Sequence, residues 1–447
     1  MRTTLRLGGG AGFAGDRLDA PVHLAEHGAL DYLVLECLAE RTIALAQLRK
    51  RNDLAAGFDA RLTERVESLL PILARRRFRL VSNFGAANPL GAAEAIVAIA
   101  KRLDLPVKVA AVTGDDVLDA LDLDAPAMET GLPLSHYGPI VSANAYLGAE
   151  ALLPALASGA DIVVTGRVAD PSLFVAPLMH EFGWTAEDVD RLARGTAVGH
   201  LLECAGQLCG GYFADPGRKD ISGMANLGFP FADVNADGDA TLGKVAGTGG
   251  RITVATATEQ LLYEVIDPHG YLTPDVTADF SAVTLTETGR DRIAVRGARG
   301  RARPAQLKVS VGYLAGYVGE GEIGYAGVNA VARARLAADI LRERLDGRFA
   351  ELRIDLIGST SLHGRALDDL ERPYEVRLRV AGRATSRAEA AIVGDEVEAL
   401  YTNGPAGGGG TRKLVTEQVG IVSTLIDRSR VKPGVTVREW SPHAEVV

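Results

Sequence analysis

The chain has 447 residues, of which 47% are hydrophobic, 23% charged and only 5% aromatic, and its net charge is −9. These are the proportions of a globular protein with more than one core, which excludes disorder and fibrous architecture. They also exclude the basic footprint of a nucleic-acid or anionic-membrane binder, and the aromatic shortage leaves few platforms for stacking bases or sugars.

In chain order, residues 3–7 read as a short strand, 8–15 as a glycine loop and 21–27 as the start of a helix. Residues 31–36 read as a buried strand, with a helix running on to Lys50. Leu62, Val66, Leu69, Leu70 and Leu73 recur at helical spacing, so 62–77 is an amphipathic helix. Strands at 78–82, 107–112 and 160–164, with a helix over 91–103, continue the alternation. Short apolar strands alternating with helices predict a parallel sheet covered on both faces.

After Trp184 the pattern changes. Residues 186–209 are mostly helical, Asn235–Gly238 is a turn, 256–266 is a helix and 281–313 alternates as strands do. A helix over 328–345 closes this part. Beyond it, strands at 352–357 and 374–380, a helix at 386–400 and strand-like runs over 415–437 suggest a small α+β unit of ferredoxin-like character. The expected fold is therefore α/β: a mostly parallel sheet flanked by helices over 1–345, then a smaller ferredoxin-like α+β domain over 346–447.

Cys37, Cys204 and Cys209 match neither a C-x-x-C redox motif nor a zinc knuckle and read as free thiols. No apolar run approaches the roughly 18–20 residues that span a bilayer. The expectation is a cytoplasmic protein with no membrane or nucleic-acid partner.

Three glycine–polar clusters follow predicted strands: Gly8–Arg17, Asn83–Pro89 and Thr165–Ser172. In an open parallel sheet, ligands bind beyond the carboxyl ends of the strands, where glycine admits close backbone approach. Asparagine is rare, and Asn83, Asn88, Asn226 and Asn403 stand in or beside glycine turns. Their amides suit a polar ligand, although asparagine also occupies left-handed turns for its own sake. Gly10, Gly12 and Gly15 spell a G-x-G-x-x-G, but Asp16 stands where a pyrophosphate would sit and would repel it. Four glycines at 407–410 follow Asn403 and form either a hinge or a ligand-wrapping loop.

His200 and Glu203, three apart on one helix, fit general acid–base chemistry, two ligands of a divalent metal, or a local helix-stabilising pair. Arg167 and Asp170 flank a glycine loop and serve either capping or binding.

These residues together resemble the acyclic terpene utilisation family of AtuA-like proteins. The matching stretches include Gly10–Gly12 with Gly15–Arg17, Leu30–Leu33, Leu38–Glu40, Asn83–Pro89, Val164–Asp170 and Gly199–Cys204. Met224–Pro230, Gly247–Gly250, Glu259–Glu264, Tyr271–Asp275 and Asn403–Gly410 continue the match. Phe84-Gly85-Ala86 departs from the Ala-Gly-Gly expected there. The resemblance implies an AtuA domain followed by a ferredoxin-like domain. It also implies a role in degrading acyclic terpenoids such as citronellol and geraniol through CoA thioesters, by a lyase or hydratase-type step.

The leading expectation is an enzyme of acyl-CoA or branched-carboxylate catabolism. His200, Glu203 and Asp170 would be catalytic, and Gly10, Gly12, Asp16, Asn83, Asn88, Arg167, Asn226 and Asn403 would bind substrate, Arg167 holding an anionic group. The alternatives are a non-catalytic binding or assembly component of a catabolic acyl-CoA enzyme, and a nucleotide-dependent enzyme. A homo-oligomer or a partner enzyme is compatible with the sequence, which names neither cofactor nor metal.

Overall fold

The apolar runs of the first half become neighbouring strands because each is buried on both sides and returns through a helix. A computed structural model describes residues 3–364 and 373–442. It runs β1 (Thr4–Ala11), α1 (Asp19–His27), β2 (Tyr32–Leu35), α2 (Glu40–Asn52), α3 (Leu62–Arg76), β3 (Arg79–Ser82) and α4 (Pro89–Leu103). Next come β4 (Val107–Thr113), β5 (Ile140–Ala145), α5 (Leu153–Ala157), β6 (Ile162–Thr165), α6 (Ser172–Phe182) and α7 (Val189–Leu202). Then follow β7 (Pro230–Asn235), β8 (Ala240–Lys244), α8 (Val254–Leu262), β9 (Tyr271–Leu272), β10 (Thr277–Asp279), β11 (Thr284–Gly289), β12 (Arg292–Arg296) and β13 (Arg299–Arg301). The chain ends with β14 (Gln306–Ala326), α9 (Ala330–Arg344), β15 (Glu351–Ile357), β16 (Glu375–Ala384), α10 (Arg387–Asn403), β17 (Gly409–Asp427) and β18 (Gly434–Trp440).

The chain divides into a larger unit, residues 1–135, 141–312 and 421–447, and a smaller one, residues 136–140 and 313–420. The division thus falls at 312 and again at 420, not at the expected 345. The reason is a long-range pairing: β18 lies antiparallel to β4, with Gly434 opposite Thr113 and Trp440 opposite Val107, and returns the chain end to the larger unit.

The larger unit is built on a ten-stranded sheet in the order β11-β12-β8-β7-β1-β2-β3-β6-β4-β18. Its centre is parallel, through β1–β2, β2–β3, β3–β6 and β6–β4. Every other pairing in it is antiparallel, which corrects the expectation of a mostly parallel sheet. The Asn235–Gly238 turn joins β7 and β8 as a hairpin and starts the antiparallel side. Leu24, Leu69, Leu73 and Ile96 of α1, α3 and α4 pack on Leu33, Leu80, Val109 and Ile162 of the sheet. After β6 the chain runs into α6 and α7, which pack on each other and touch β1, β2 and β7.

One local expectation is overturned. Gly8, Gly9 and Gly10 lie inside β1 and not in a loop. A Cβ on Gly9 would stand 2.5 Å from the Leu202 carbonyl oxygen, and one on Gly12 would stand 2.9 Å from the Cys204 backbone. These glycines let β1 pass close beneath the end of α7, a packing demand that outweighs glycine's poor strand propensity.

The smaller unit runs β-α-β-β-α-β, with its strands in the order β15-β16-β14-β17. The pairings β14–β16 and β15–β16 are antiparallel. Ala334, Ala337 and Leu341 of α9 and Val393 and Val397 of α10 pack on Ile323, Leu378 and Val380. Residues alternating with these carry charge, and Arg379 pairs with both Glu320 and Asp355. Among the described residues no helix is long and apolar enough to cross a membrane.

Candidate active site

The carboxyl ends of β1, β2 and β6 and the end of α7 surround one cavity of about 690 Å³, all within the larger unit. That volume suits a small molecule, for which sites of about 300–1,000 Å³ are usual.

At the end of β1 the loop folds on itself. Asp16 accepts from the Gly12 amide through Oδ2 at 2.9 Å and from the Arg17 amide through Oδ1 at 2.7 Å. From below, Arg65 donates to the Ala14 carbonyl at 2.8 Å and Arg61 to the Asp16 carbonyl at 2.7 Å. The amide that a bound pyrophosphate would take is thus occupied by a carboxylate, so the glycine motif does not make a phosphate cradle.

At the end of β2, Glu36 is buried. Its Oε1 accepts from Asn83 Nδ2 at 2.9 Å and from the Leu38 amide at 2.7 Å. Asn83 Oδ1 accepts from the Cys37 amide at 2.7 Å, so this asparagine ties the ends of β2 and β3 together from beneath the cavity.

At the end of β6, Asp115 accepts the Arg167 amide at 2.8 Å and Asn144 Nδ2 at 2.9 Å. Gly166 has no alternative there, because a Cβ would fall 2.3 Å from Asp115 Oδ1. The Arg167 guanidinium is buried, donates to the Leu38 carbonyl and to Asp170 Oδ1 (2.9 Å), and lies 4.1 Å over the Tyr146 ring. Its Nε has no partner. Glu40, just past β2, accepts from the Tyr146 hydroxyl and from Lys308 Nζ at 3.3 Å.

At the end of α7, His200 Nδ1 and Glu203 Oε1 are 2.8 Å apart. The imidazole packs against the Tyr271 and Phe280 rings, and its backbone carbonyl accepts from Gln260 Nε2 at 3.0 Å. His200 Nε2 and Glu203 Oε2 are both buried without a partner. Glu203 lines the cavity, with His200 behind it.

Several carboxyls thus surround one guanidinium, and their environments separate them. Burial pushes Asp170 well above the usual carboxylate range, and the charges of Glu36, Glu203 and Glu40 push it further against the pull of Arg167. Asp170 is a third exposed where it lines the cavity, so water there moderates this shift. Burial likewise raises Glu36, with Arg167, Asn83 and the Leu38 amide opposing. Glu40 goes the other way: burial would raise it, but Arg167, the Tyr146 hydroxyl and Lys308 bring it down to about 2. Burial lifts Asp115 to about 6 despite the Arg167 amide and Asn144. Burial alone would lower Arg167, but Asp170, Tyr146, Glu36 and Glu40 outweigh it and secure the charge.

Of the residues expected from sequence, Gly12, Asp16, Arg167, Asp170 and Glu203 line this cavity, His200 backs Glu203, and Asn83 backs Glu36. The others are elsewhere. Gly10 is inside β1, where a Cβ would meet the Leu35 side chain at 2.5 Å. Asn88 caps α4, its Oδ1 accepting from the Gly91 amide at 3.0 Å. Asn226 is exposed in a one-turn helix, and Asn403 belongs to the smaller unit, where its side chain donates to the Ala399 carbonyl. Sequence reasoning gave no site role to Glu36, Glu40, Tyr146 or Lys308. The one available signal was Glu36 and Glu40 standing just beyond a buried strand, where sheet ligands bind. The three cysteines are free thiols, and among the described residues no three His, Cys, Asp or Glu side chains converge as a metal site requires.

The family model described as "Acyclic terpene utilisation family protein AtuA" matches residues 5–437. No curated protein matches the chain.

Proposed function

Because the chain belongs to the acyclic terpene utilisation family, we propose that its cavity adds water to, or removes water from, a branched acyclic substrate. It is then an acid–base enzyme of the lyase or hydratase type, with Asp170 as the acid and Glu203 as the base. The observation that carries this reading is the contrast between two carboxyls lining one cavity. Burial and the charges of Glu36, Glu203 and Glu40 raise the proton affinity of Asp170 against the pull of Arg167, whereas Glu203 has Oε1 held by His200 and leaves Oε2 buried and unpartnered. A carboxyl that favours its proton, beside one that an imidazole holds, supplies an acid and a base.

In the dehydration direction, Glu203 Oε2 takes a proton from one carbon, and the electron pair of that C–H bond becomes a carbon–carbon double bond. The C–O bond on the neighbouring carbon breaks, Asp170 gives its proton to the departing hydroxyl, and water leaves. Hydration is the reverse. His200 positions Glu203 and does not itself face the cavity. Arg167, expected to hold an anionic substrate group, has another role in this reading, since two of its nitrogens donate to the Leu38 carbonyl and to Asp170 and its Nε is buried. It instead receives the charge that Asp170 acquires on giving up its proton.

A general acid contributes roughly 10²–10⁴-fold to a rate. Asp170→Asn keeps the shape and the bond to Arg167 but cannot give a proton, so turnover of any substrate the native protein dehydrates should fall by about that factor. Retention of turnover within threefold, in a variant whose circular dichroism is native, would remove Asp170 from the chemistry. We further read the smaller unit as ferredoxin-like, on its β-α-β-β-α-β run and its strand order.

A further inference from the structure

We propose that the cavity takes its substrate head first, as an uncharged hydroxyl compound whose head meets Asp170 and Glu203 while its hydrocarbon body lies against an apolar mouth. Carboxylate, phosphate and CoA-linked forms of the same skeleton are rejected. The proposal rests on the reading above only in identifying the head as the reacting hydroxyl.

The described cations that line the cavity are each paired with a carboxyl of their own. Arg167 is engaged with the Leu38 carbonyl and Asp170, and its remaining Nε is buried. Lys308 pairs with Glu40 at 3.3 Å, and Arg17 pairs with Asp19. An anion entering here would meet Glu40 and Glu203 and cations that already have partners, and burying an unpaired anion is costly. A hydroxyl group meets complementary partners instead. Its hydrogen can go to Glu203 Oε2, a carboxylate oxygen otherwise buried without a donor, and its oxygen can accept from the Asp170 carboxyl.

The open end carries large apolar side chains, with the exposed Glu264 among the lining residues. Phe13, Tyr212 and Leu272 line the cavity yet are 59%, 85% and 68% exposed. Glu36 and Glu203, at the other end, are 7% and 8% exposed. This gradient from buried carboxyls to exposed apolar side chains sets the orientation, polar head inside and hydrocarbon outside. It also argues against a CoA thioester, the form expected from the resemblance. In such a molecule the carbonyl stands between the acyl chain and the nucleotide, so a carbonyl at the closed end would need both arms to leave through one mouth. The phosphates would then meet Arg17 and Lys308, both already paired.

The test compares four ligands with one skeleton on the intact protein by titration calorimetry at neutral pH: 3,7-dimethyloctan-1-ol, 3,7-dimethyloctanoate, 3,7-dimethyloctyl phosphate and 3,7-dimethyloctanoyl-CoA. The alcohol should bind at least about tenfold more tightly than any of the other three, and Glu203→Gln should narrow that gap by improving the carboxylate. Tyr212→Ser should weaken this alcohol severalfold and leave butan-1-ol unaffected. Equal or tighter binding of any anionic form, or no binding of the alcohol at millimolar concentration, overturns the proposal. Binding is read without turnover, so its failure is separable from failure of the dehydration reading. Asp170→Asn that retains full turnover leaves the charge preference standing, and loss of the preference leaves the Asp170 result standing.

Discussion

Two arginine–aspartate pairs, each with a buried guanidinium, lie near the ends of the same parallel strands, and only one of them borders the cavity. Arg65 and Asp59 are 1% and 8% exposed and 3.2 Å apart. Asp59 accepts from Arg65 through one oxygen and from the Arg61 amide through the other, while Arg65 also holds the Ala14 carbonyl. One base meets one acid there, and the pair braces the loop after β1. Arg167, by contrast, stands among Asp170, Glu36 and Glu40, and one guanidinium cannot settle three carboxyls equally. Burial of an ion pair therefore does not by itself unsettle its neighbours; a surplus of carboxyls around one cation does, because the surplus drives their proton affinities apart.

The most severe way to sharpen this contrast is to break the bracing pair. Asp59→Ala leaves the Arg65 guanidinium buried without its partner, a change that costs about 3–5 kcal/mol of stability. Urea unfolding should show that loss, whereas Asp170→Asn, which removes a carboxyl already reluctant to ionise, should leave the midpoint unchanged or raise it. Equal destabilisation by the two substitutions would erase the distinction drawn between the pairs.

Next in size is a pH effect carried by Asp115 beneath Arg167. Its folded proton affinity lies near pH 6, above the ordinary carboxyl value of 3.8. Between those two values the folded state keeps a proton that the unfolded state has lost, so stability falls as pH rises through that window and is level above it. A displacement of two units corresponds to about 3 kcal/mol. Asp115→Asn should flatten the dependence of unfolding free energy on pH between pH 4 and pH 6. Glu40 has the opposite sign: its contribution is present above the ordinary glutamate value of 4.5 and is lost as pH falls toward 2. An unaltered slope in the Asp115 variant would mean that the carboxyl exchanges freely with water.

How much of this was legible in the sequence follows from distance along the chain. Arg167–Asp170 and His200–Glu203 are each three residues apart, and local spacing was enough to find them. Tyr146 and Glu40 meet across 106 residues, and Arg167 reaches the Leu38 carbonyl across 129, so no local pattern could pair them. The parallel strands could be read because each is an apolar run buried on both sides. The β4–β18 pairing, which moves the unit boundary, joins residues 113 and 434 and carries no periodic signal. Glycine was the residue most easily misread. Gly9→Ala would press a methyl against the Leu202 carbonyl at 2.5 Å, and overpacking of this kind costs about 1–3 kcal/mol. If instead Gly9→Ala left stability untouched, those glycines would have to be explained by something other than the approach of α7.

The smallest effect separates asparagines that look alike in sequence. Asn83 and Asn88 stand in one loop, but Asn83 fastens Glu36 from below, whereas Asn88 spends its oxygen on the Gly91 amide and its nitrogen on the Leu54 and Ala56 carbonyls. Asn88 is thus the N-cap of α4, and losing such a cap costs about 1 kcal/mol. Asn88→Ala should lower the unfolding free energy by that amount and leave turnover and the pH profile as they are. Asn83→Ala removes a donor from Glu36, so Glu36 should hold its proton still more tightly, and any limb of the pH–rate profile that reports the cavity's carboxyls should move to higher pH. A shift of the profile in the Asn88 variant would place that residue in the carboxyl network after all. A shift confined to the Asn83 variant would show that this loop serves the cavity through one amide and the fold through the other.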